Sequence, residues 1–286
     1  MNDAAGPNAA AFAHCAEEVR GHDPDRFFAT LFAPAGKRPY LHALYAFNLE
    51  IARVREVVSD PMPGEVRLQW WRDELAGRAR GDAEGHPVAA ALRETIARFR
   101  LPVEALVALI DARSFDLYED PMPSLGDLEG YCGETASALF RLASLILADG
   151  GEAGPADAAG HAGVAYGITM LLRAFPWHAA RGQLYLPADI LARHGLSREE
   201  ALARDEAARL APVLAEMRAL AEDHRRKALA FIGEAPAAVR PAFLPLAVVR
   251  AYLARMERPY DPFRDLVEVP QWRRQWALWR LARRLG

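Results

Sequence analysis

The hydrophobic residues of this chain recur at intervals of three and four, the pattern of helices that bury one face. In 37–58, for example, Leu44, Phe47, Ile51 and Val54 fall on one such face. The same spacing predicts further helices over 64–80, 87–99, 102–118, 125–147, 155–175, 187–194, 197–203, 207–232, 235–256 and 271–285.

Strand patterns are short and weak. The pieces 57–58 and 183–186 lean toward β structure, and we expect a helix end and a turn there. Ser197, followed three residues later by Glu200, predicts a capping box at the start of a helix. No internal repeat and no long linker divides the chain, so we expect one all-α helical bundle.

Composition narrows the class of protein. With 52% hydrophobic and 26% charged residues, the 286-residue chain is globular, and its net charge of −3 gives no general attraction to nucleic acid. Cys15 and Cys132 lack metal-ligand spacing and predict a reducing compartment. Neither a signal peptide nor a transmembrane run is expected, so we predict a cytoplasmic protein that could rest peripherally on the inner membrane.

The helix predicted over 37–58 carries a polar stripe opposite its apolar face. Asn48, Glu50, Arg53 and Glu56 belong to this stripe. Two interpretations remain open. The stripe is a solvated face with an Arg53–Glu56 pair, or it points into a cavity.

Three glycines recur on one face of the helix predicted over 155–175. Gly160, Gly163 and Gly167 follow one another at intervals of three and four. Each glycine costs about 1 kcal/mol of helix stability relative to alanine, so a strip of three needs a reason. Close packing of a neighbouring helix and clearance for a long apolar ligand are both possible reasons.

The stretch 171–187 combines cations with a hydroxyl. Arg173, Arg181 and Tyr185 could bind an anion, because the planar guanidinium group donates two parallel hydrogen bonds to phosphate. The alternative is that both arginines bond carboxylates or helix ends. His178 has no partner at metal-ligand spacing, so we expect no metal role for it.

The last predicted helix is rich in tryptophan and arginine. Trp272, Trp276 and Trp279 lie four and three residues apart, with five arginines and no acid in 271–285. This composition is typical of a helix that lies in the interface of a membrane. The alternative is a terminal helix that docks its indoles on the protein body.

Several strings, in order, resemble the squalene/phytoene synthase family. They are Asp25-Arg-Phe-Phe28, Leu31-Phe-Ala-Pro34, Ala43-Leu-Tyr-Ala-Phe47, His86-Pro-Val88, Leu109-Ile-Asp111 with Asp116-Leu117, Leu128-Glu-Gly-Tyr-Cys132, Leu172-Arg173 and Arg181-Gly-Gln-Leu-Tyr-Leu-Pro187. The resemblance implies the isoprenoid synthase fold, a bundle around a central apolar cavity, over 20–260. We assign 1–19 to an N-terminal extension and 261–286 to a C-terminal amphipathic helix. The cavity lining that it implies is Phe28, Tyr45, Asn48, Gly163, Gly167 and Met170.

Active members of that family carry two aspartate-rich motifs across the cavity. Their carboxylates hold Mg²⁺ ions, which neutralise the diphosphate that must leave. The matching positions here are Ala52, Arg53 and Glu56 for the first motif, and Ala174, Trp177 and His178 for the second. With one acid in six positions, both motifs are degenerate, and we expect no metal cofactor.

The cationic side of the implied site is retained. Arg173, Arg181, Tyr185 and Tyr131 match positions near the diphosphate in the family, and Arg53 adds a positive charge at a motif position. These groups predict an anion-binding site that works without a metal.

Three strings are similar to one branch of the family, which includes a mitochondrial complex I assembly factor. They lie in 48–54, 69–72 and 172–178. The expected function is therefore non-catalytic: binding of an isoprenoid or lipid and help in assembling a respiratory membrane complex, in contact with one of its subunits.

Two alternatives remain open. The first is an active head-to-head prenyltransferase that condenses farnesyl or geranylgeranyl diphosphate with Mg²⁺, using Glu50 and Glu56 as ligands. The second is a metal-free lyase or transferase that uses Arg173 and Tyr185.

Overall fold

Every regular element in the described part of the chain is a helix. A computed structural model describes residues 8–78 and 85–286. The α-helices are α1 (Ala9–His22), α2 (Pro24–Thr30), α3 (Arg38–Ala52), α4 (Val54–Val57), α5 (Pro61–Leu75), α6 (Pro87–Phe99), α7 (Val103–Ser114), α8 (Leu125–Cys132), α9 (Ala138–Leu147), α10 (Ala156–Arg173), α11 (Phe175–Ala180), α12 (Ala188–Arg193), α13 (Arg198–Leu202), α14 (Ala207–Ile232), α15 (Ala247–Met256) and α16 (Gln271–Leu285). Short 3₁₀ helices cover Ala35–Lys37, Phe115–Leu117, Arg204–Glu206 and Ala237–Leu246.

Most predicted helices form close to their predicted bounds, and the all-α prediction is confirmed. The capping box is present, because the Ser197 hydroxyl accepts from the Glu200 N–H at 3.2 Å and the Glu200 carboxylate accepts from the Ser197 N–H at 2.8 Å. The first half of the helix predicted over 235–256 is 3₁₀, since Pro241 and Pro245 lack the N–H that an α-helix needs. The end of the helix predicted over 64–80 lies partly outside the described residues.

Two helices at the start were not predicted. In α1 alanine occurs on all sides, so the contrast between faces is low, and only Cys15 and Val19 are fully buried. Helix α2 begins at Pro24 after Asp23, whose side chain accepts from the Arg26 N–H at 3.0 Å. Aspartate followed by proline is an ordinary helix start signal that pattern reasoning overlooked.

A π-helical turn interrupts the helix predicted over 125–147. The turn covers Gly133–Ser137 and joins α8 to α9. Helix α10 packs directly against it. A Cβ atom added at Gly163 would lie 2.1 Å from Ser137 Oγ, and one added at Gly167 would lie 2.7 Å from Cys132 Sγ.

The packing interpretation of the glycine strip therefore holds at two of its three positions. Neighbouring atoms fill the space at Gly163 and Gly167 that the cavity interpretation left for a ligand. Gly160 differs, because no atom lies within 4 Å of a Cβ built there. Because glycine has no side chain, α10 and the π turn can approach each other closely. Helix α10 also packs against α9, α14 and α15, at the centre of the bundle.

One described segment, Ala237–Met256, is long and apolar enough to cross a membrane by length and composition. However, 56% of that stretch is buried inside the protein. It packs against α2, α9 and α16, as a core helix does.

Helix α16 docks on the body through its aliphatic side, and its indoles face outward. Leu278 and Leu285 are buried, whereas Trp272, Trp276 and Trp279 are 64%, 53% and 40% exposed. The alternative in which the tryptophans dock on the body is therefore wrong.

We expect Gly163→Ala and Gly160→Ala to have opposite effects. At Gly163 the added methyl group clashes with the π turn and should lower the free energy of unfolding by about 1–3 kcal/mol. At Gly160 the same change meets open space and should raise it by up to about 1 kcal/mol. Urea denaturation of both variants measures the two effects. Equal stability of the two proteins would contradict the close packing.

Candidate functional site

A buried carboxylate lies at the centre of the candidate site. The 3₁₀ turn after α7 carries Asp116, which is 7% exposed. Tyr131 of α8 and Tyr185 both donate their hydroxyls to Asp116 Oδ1, at 2.8 and 2.6 Å. Arg113, one turn earlier, has Nη1 3.1 Å from Asp116 Oδ2 and donates to the Tyr131 oxygen at 2.7 Å.

Two further side chains complete this group, which we call the Asp116 cluster: Arg113, Asp116, Tyr131, His178, Gln183 and Tyr185. Gln183 donates from Nε2 to the Asp116 carbonyl oxygen at 2.5 Å. The His178 ring lies 4.7 Å from the Tyr185 ring, centroid to centroid. The cluster thus joins the end of α7, the end of α8, helix α11 and the segment that follows α11.

Burial fixes the protonation states in the cluster. It raises the pKa of Tyr131 and Tyr185 well above 10, so both remain hydroxyl donors. Burial lowers the pKa of His178 to about 4, so its ring is neutral near pH 7. For Arg113 burial acts to lower the pKa, but Tyr131 and Asp116 outweigh it and raise the pKa above its ordinary value. The positive Arg113 is therefore balanced inside the chain by Asp116.

The structure brings together two of the five predicted anion-binding residues, Tyr131 and Tyr185. The side chains of the three predicted arginines take no part in the hydrogen bonds of the Asp116 cluster. Arg173 donates from Nε to the Val267 carbonyl at 3.0 Å, and its guanidinium lies 4.9 Å from the centre of the Tyr252 ring. Arg181 is half-buried close to His178. Their predicted role in binding an anion stays a prediction.

Arg53 belongs to a different surface. It lies 3.5 Å from Glu56, as the solvated-face interpretation predicted. Both Arg53 and Glu50 line an open groove of about 380 Å³ on the outside of α3. The groove is closed on its other sides by α1, α5 and the start of α6, with lining residues that include Glu18, Arg67, Trp70, Trp71 and His86.

The positions that match the second motif are spread out. Trp177 is 58% exposed, Ala174 is half-buried and His178 packs on Tyr185. Within 8–78 and 85–286, no three histidine, cysteine or acidic side chains are grouped to hold a metal ion. Asp116, the buried acid next to His178, has both oxygens bonded by the cluster.

Magnesium therefore does not fit the residues present at these positions. Mg²⁺ needs octahedral oxygen ligands, usually with carboxylates among them. Glu56 is exposed beside Arg53, and Asp116 already neutralises Arg113.

The implied cavity residues lie in and around the core. Tyr45 and Asn48 are buried, and Asn48 Oδ1 has no hydrogen-bond partner. Phe28 and Met170 are half-buried. An apolar pocket lined by Ile168, Leu171, Leu172, Phe175, His178 and Tyr185 has a volume of about 10 Å³. That space suits roughly one water molecule.

Sequence reasoning assigned no role to Arg26, which lies in the same interior. Its guanidinium carbon is 5.4 Å from the ring centre of Tyr45 and 4.8 Å from that of Tyr166. Its Nη1 donates to Asp23 at 2.7 Å. The string Asp25-Arg-Phe-Phe28 contained the residue, but its contacts with Tyr166 join positions far apart in the chain.

Comparison with solved structures defines the class of protein. The fold matches a dehydrosqualene synthase crystal structure with a TM-score of 0.81 at 19% identity, covering 97% of both chains. It matches squalene synthase HpnC from Alicyclobacillus acidocaldarius with a TM-score of 0.73 at 23% identity, covering 88% of this chain and 94% of that one. The protein therefore has the isoprenoid synthase fold, as predicted.

A family model described as squalene/phytoene synthase matches residues 19–280, and the chain belongs to that family. Complex I assembly factor 6 of Rattus norvegicus is 33% identical over 246 residues, covering 86% of this chain and 73% of its own length. The Homo sapiens protein is 33% identical over 257 residues, covering 89% and 77%. Presqualene diphosphate synthase of Rhodopseudomonas palustris is 31% identical over 176 residues, covering 60% and 61%. The predicted family and branch are confirmed.

We expect Asp116→Asn to destabilise the protein strongly. The change leaves the buried Arg113 charge without a counterion, which should lower the free energy of unfolding by about 3–5 kcal/mol. The double variant Arg113→Met/Asp116→Leu should cost less than the sum of its single changes, because it removes both charges together. Urea denaturation gives all the values. Additive costs would mean that the two side chains do not form a coupled pair.

We also expect His178→Phe to reduce the sensitivity of the fold to acid. The folded pKa of His178 is about 4, below the ordinary 6.5, so the unfolded chain binds a proton first as the pH falls. Stability is full above pH 6.5 and decreases toward pH 4, by up to about 3 kcal/mol for this residue. The His178→Phe variant keeps an aromatic ring against Tyr185. It should lose the part of the pH dependence of stability that His178 contributes. Unfolding at pH 7.5 is the internal control, and an unchanged slope between pH 6.5 and 4 would contradict the assignment.

Proposed function

We propose that this protein is a non-catalytic member of the squalene/phytoene synthase family. In this proposal it binds an isoprenoid-like or other lipid without a metal and aids assembly of a respiratory membrane complex of the complex I type. The observation that carries the proposal is electrostatic. The matched motif positions supply one acid, Glu56, and that acid lies beside Arg53.

The relatives support the assembly role. Proteins named as complex I assembly factor 6 from rat and human are 33% identical to this chain, which spans 73% and 77% of their lengths. A respiratory-complex subunit is the partner that this similarity favours. Both aspartate-rich motifs are inferred to be absent in function, because five of the six matched positions lack a carboxylate and the sixth, Glu56, lies beside Arg53.

The lipid ligand is supported by interior groups that favour an anionic head. Arg26 and Arg113 are buried among tyrosine rings, and Arg113 Nε has no hydrogen-bond partner. Arg26 and Arg113 are already paired with Asp23 and Asp116, so Arg113 Nε is the donor that they leave for an anionic head. Because the apolar pocket beside Tyr185 holds only about 10 Å³, a chain-like ligand would enter by displacing surrounding side chains.

The proposal includes a peripheral contact with the membrane that holds the complex. Trp272, Trp276 and Trp279 are exposed on α16, which supports such a contact. It requires no membrane-spanning segment.

The second candidate function is head-to-head prenyltransfer. Presqualene diphosphate synthases from Rhodopseudomonas palustris and Zymomonas mobilis are each 31% identical over part of the chain, which favours it. The proposed metal ligands oppose it, because Glu50 lines the outer groove and Glu56 lies beside Arg53.

Deleting the gene in the organism that carries it should lower the amount of assembled complex I on native gels. The wild-type gene should restore assembly, and so should Glu56→Ala, since Glu56 has no metal to hold in this proposal. Normal complex I in the deletion strain would overturn the assembly role.

Purified protein separates the two candidate functions. With farnesyl or geranylgeranyl diphosphate and Mg²⁺ we expect no pyrophosphate release above the protein-free rate. Turnover that stops with chelator and with Glu56→Ala would establish the prenyltransferase instead. Product detected by mass spectrometry despite chelator would indicate metal-free chemistry at Arg173 and Tyr185. Native mass spectrometry of the same sample tests for a co-purified lipid.

A further inference from the structure

Helix α16 is fixed to the body at both ends. Near its start, Arg274 forms a buried ion pair with Asp25 of α2. At its end, Arg240 donates from Nη1 to the Leu285 carbonyl at 2.5 Å. With Leu278 buried between these two points, the helix cannot roll, and the face that it presents outward is set by the fold.

The outward face carries a row of indoles. At 100° per residue, Trp272, Trp276 and Trp279 fall within about 60° of the helix circumference. Trp276 and Trp279 stack with ring centres 4.8 Å apart, and the three side chains are between 40% and 64% exposed. Large apolar groups gathered on one exposed strip mark an interaction surface.

A second row, of arginines, runs beside the indoles. Arg273, Arg280 and Arg284 fall within about 40° of one another on the same circumference, next to the tryptophan row. All three are exposed, and the helix contains no acid. Arg283 lies within the indole row, with its guanidinium carbon 5.1 Å from the Trp279 ring centre. The nearest acid before the helix is Glu268.

We infer that this face, the Trp/Arg face, docks on an anionic lipid bilayer with α16 parallel to the membrane surface. Indoles partition to the level of the headgroups, and arginines beside them meet lipid phosphates. The inference rests on the peripheral contact in the proposed function and names its partner. A protein partner is less favoured, because it would need acids placed to match Arg273, Arg280, Arg283 and Arg284, whereas an anionic bilayer offers phosphates along the whole helix.

The arrangement also explains how a 15-residue helix can bind a membrane without spanning it. About 22 Å of helix lies flat, held from behind by the body, so binding costs little ordering entropy. The anionic charge of the lipid is the selective element, since each arginine near such a surface strengthens partition about fivefold.

Vesicle sedimentation of the full chain tests the inference. We expect binding to vesicles of phosphatidylcholine with roughly 30% phosphatidylglycerol, weak binding to phosphatidylcholine alone, and release by salt. The fluorescence of the exposed tryptophans should shift to the blue on binding and be quenched by brominated lipid chains.

Two sets of substitutions test the contributions of the tryptophan row and the arginine row separately. Trp272→Ala/Trp276→Ala/Trp279→Ala should weaken binding at least about tenfold. Arg273→Gln/Arg280→Gln/Arg284→Gln should weaken it roughly a hundredfold on anionic vesicles and little on neutral ones. Matched controls are Trp177→Ala, which removes an exposed indole elsewhere, and Arg20→Gln/Arg78→Gln/Arg226→Gln, which removes three exposed cations elsewhere. Both controls should bind like the wild type.

Several outcomes overturn the inference. Absence of binding to anionic vesicles, or equal losses in the variants and their controls, would remove it. Equal binding to neutral and anionic vesicles would support a membrane contact but contradict the preference for anionic lipid. A dimer in light scattering that the tryptophan variant converts to monomer, with vesicle binding unchanged, would make this face a self-association surface. Loss of vesicle binding would also remove the peripheral membrane contact from the proposed function. Complex I assembly and lipid co-purification are measured independently, so the assembly and lipid-binding parts of that proposal fail or stand separately.

Discussion

Burying a charge requires a partner, and this bundle meets that requirement with arginine–aspartate pairs. The interior pairs are Arg26 with Asp23, Arg113 with Asp116, and Arg274 with Asp25. An ion taken out of water without compensation costs several kcal/mol, so each interior aspartate is committed to its arginine. These three aspartates are therefore structural, and none of them remains free to hold a divalent cation.

The pairs also join distant parts of the chain. Asp25 accepts from the Tyr252 hydroxyl at 3.4 Å as well as from Arg274, and the Tyr252 ring lies under Arg173. Arg173 in turn donates to Val267, in the segment that leads into α16. Through these contacts the C-terminal helix, the core and a predicted anion-binding arginine form one connected network. The orientation of α16 is consequently set by the body behind it.

The sequence predicted the long helices because their apolar faces contrast with polar ones, as in α3 and α14. It missed α1, where alanine removes that contrast, and it could not choose between packing and clearance at Gly163. The choice between packing and clearance depends on distances between atoms, and the spacing of residues along the chain does not contain those distances. At the site, the family resemblance pointed to Tyr131 and Tyr185, which do converge. Their shared acceptor was not predicted, because it is 15 residues from one and 69 from the other.

The fold places little demand on three of the six matched motif positions, Arg53, Glu56 and Trp177. Arg53 and Glu56 lie at a groove edge, and Trp177 is mostly exposed, so exchanges there cost the fold little. Asp116 and Gly163 are the opposite case, since each is enclosed by neighbours that a substitution would disturb. A scaffold built in this way can keep its architecture whether or not carboxylates occupy the motif positions. Selection for catalysis, and not for folding, is what would hold them there, which is why the proposed function is compatible with an intact isoprenoid synthase fold.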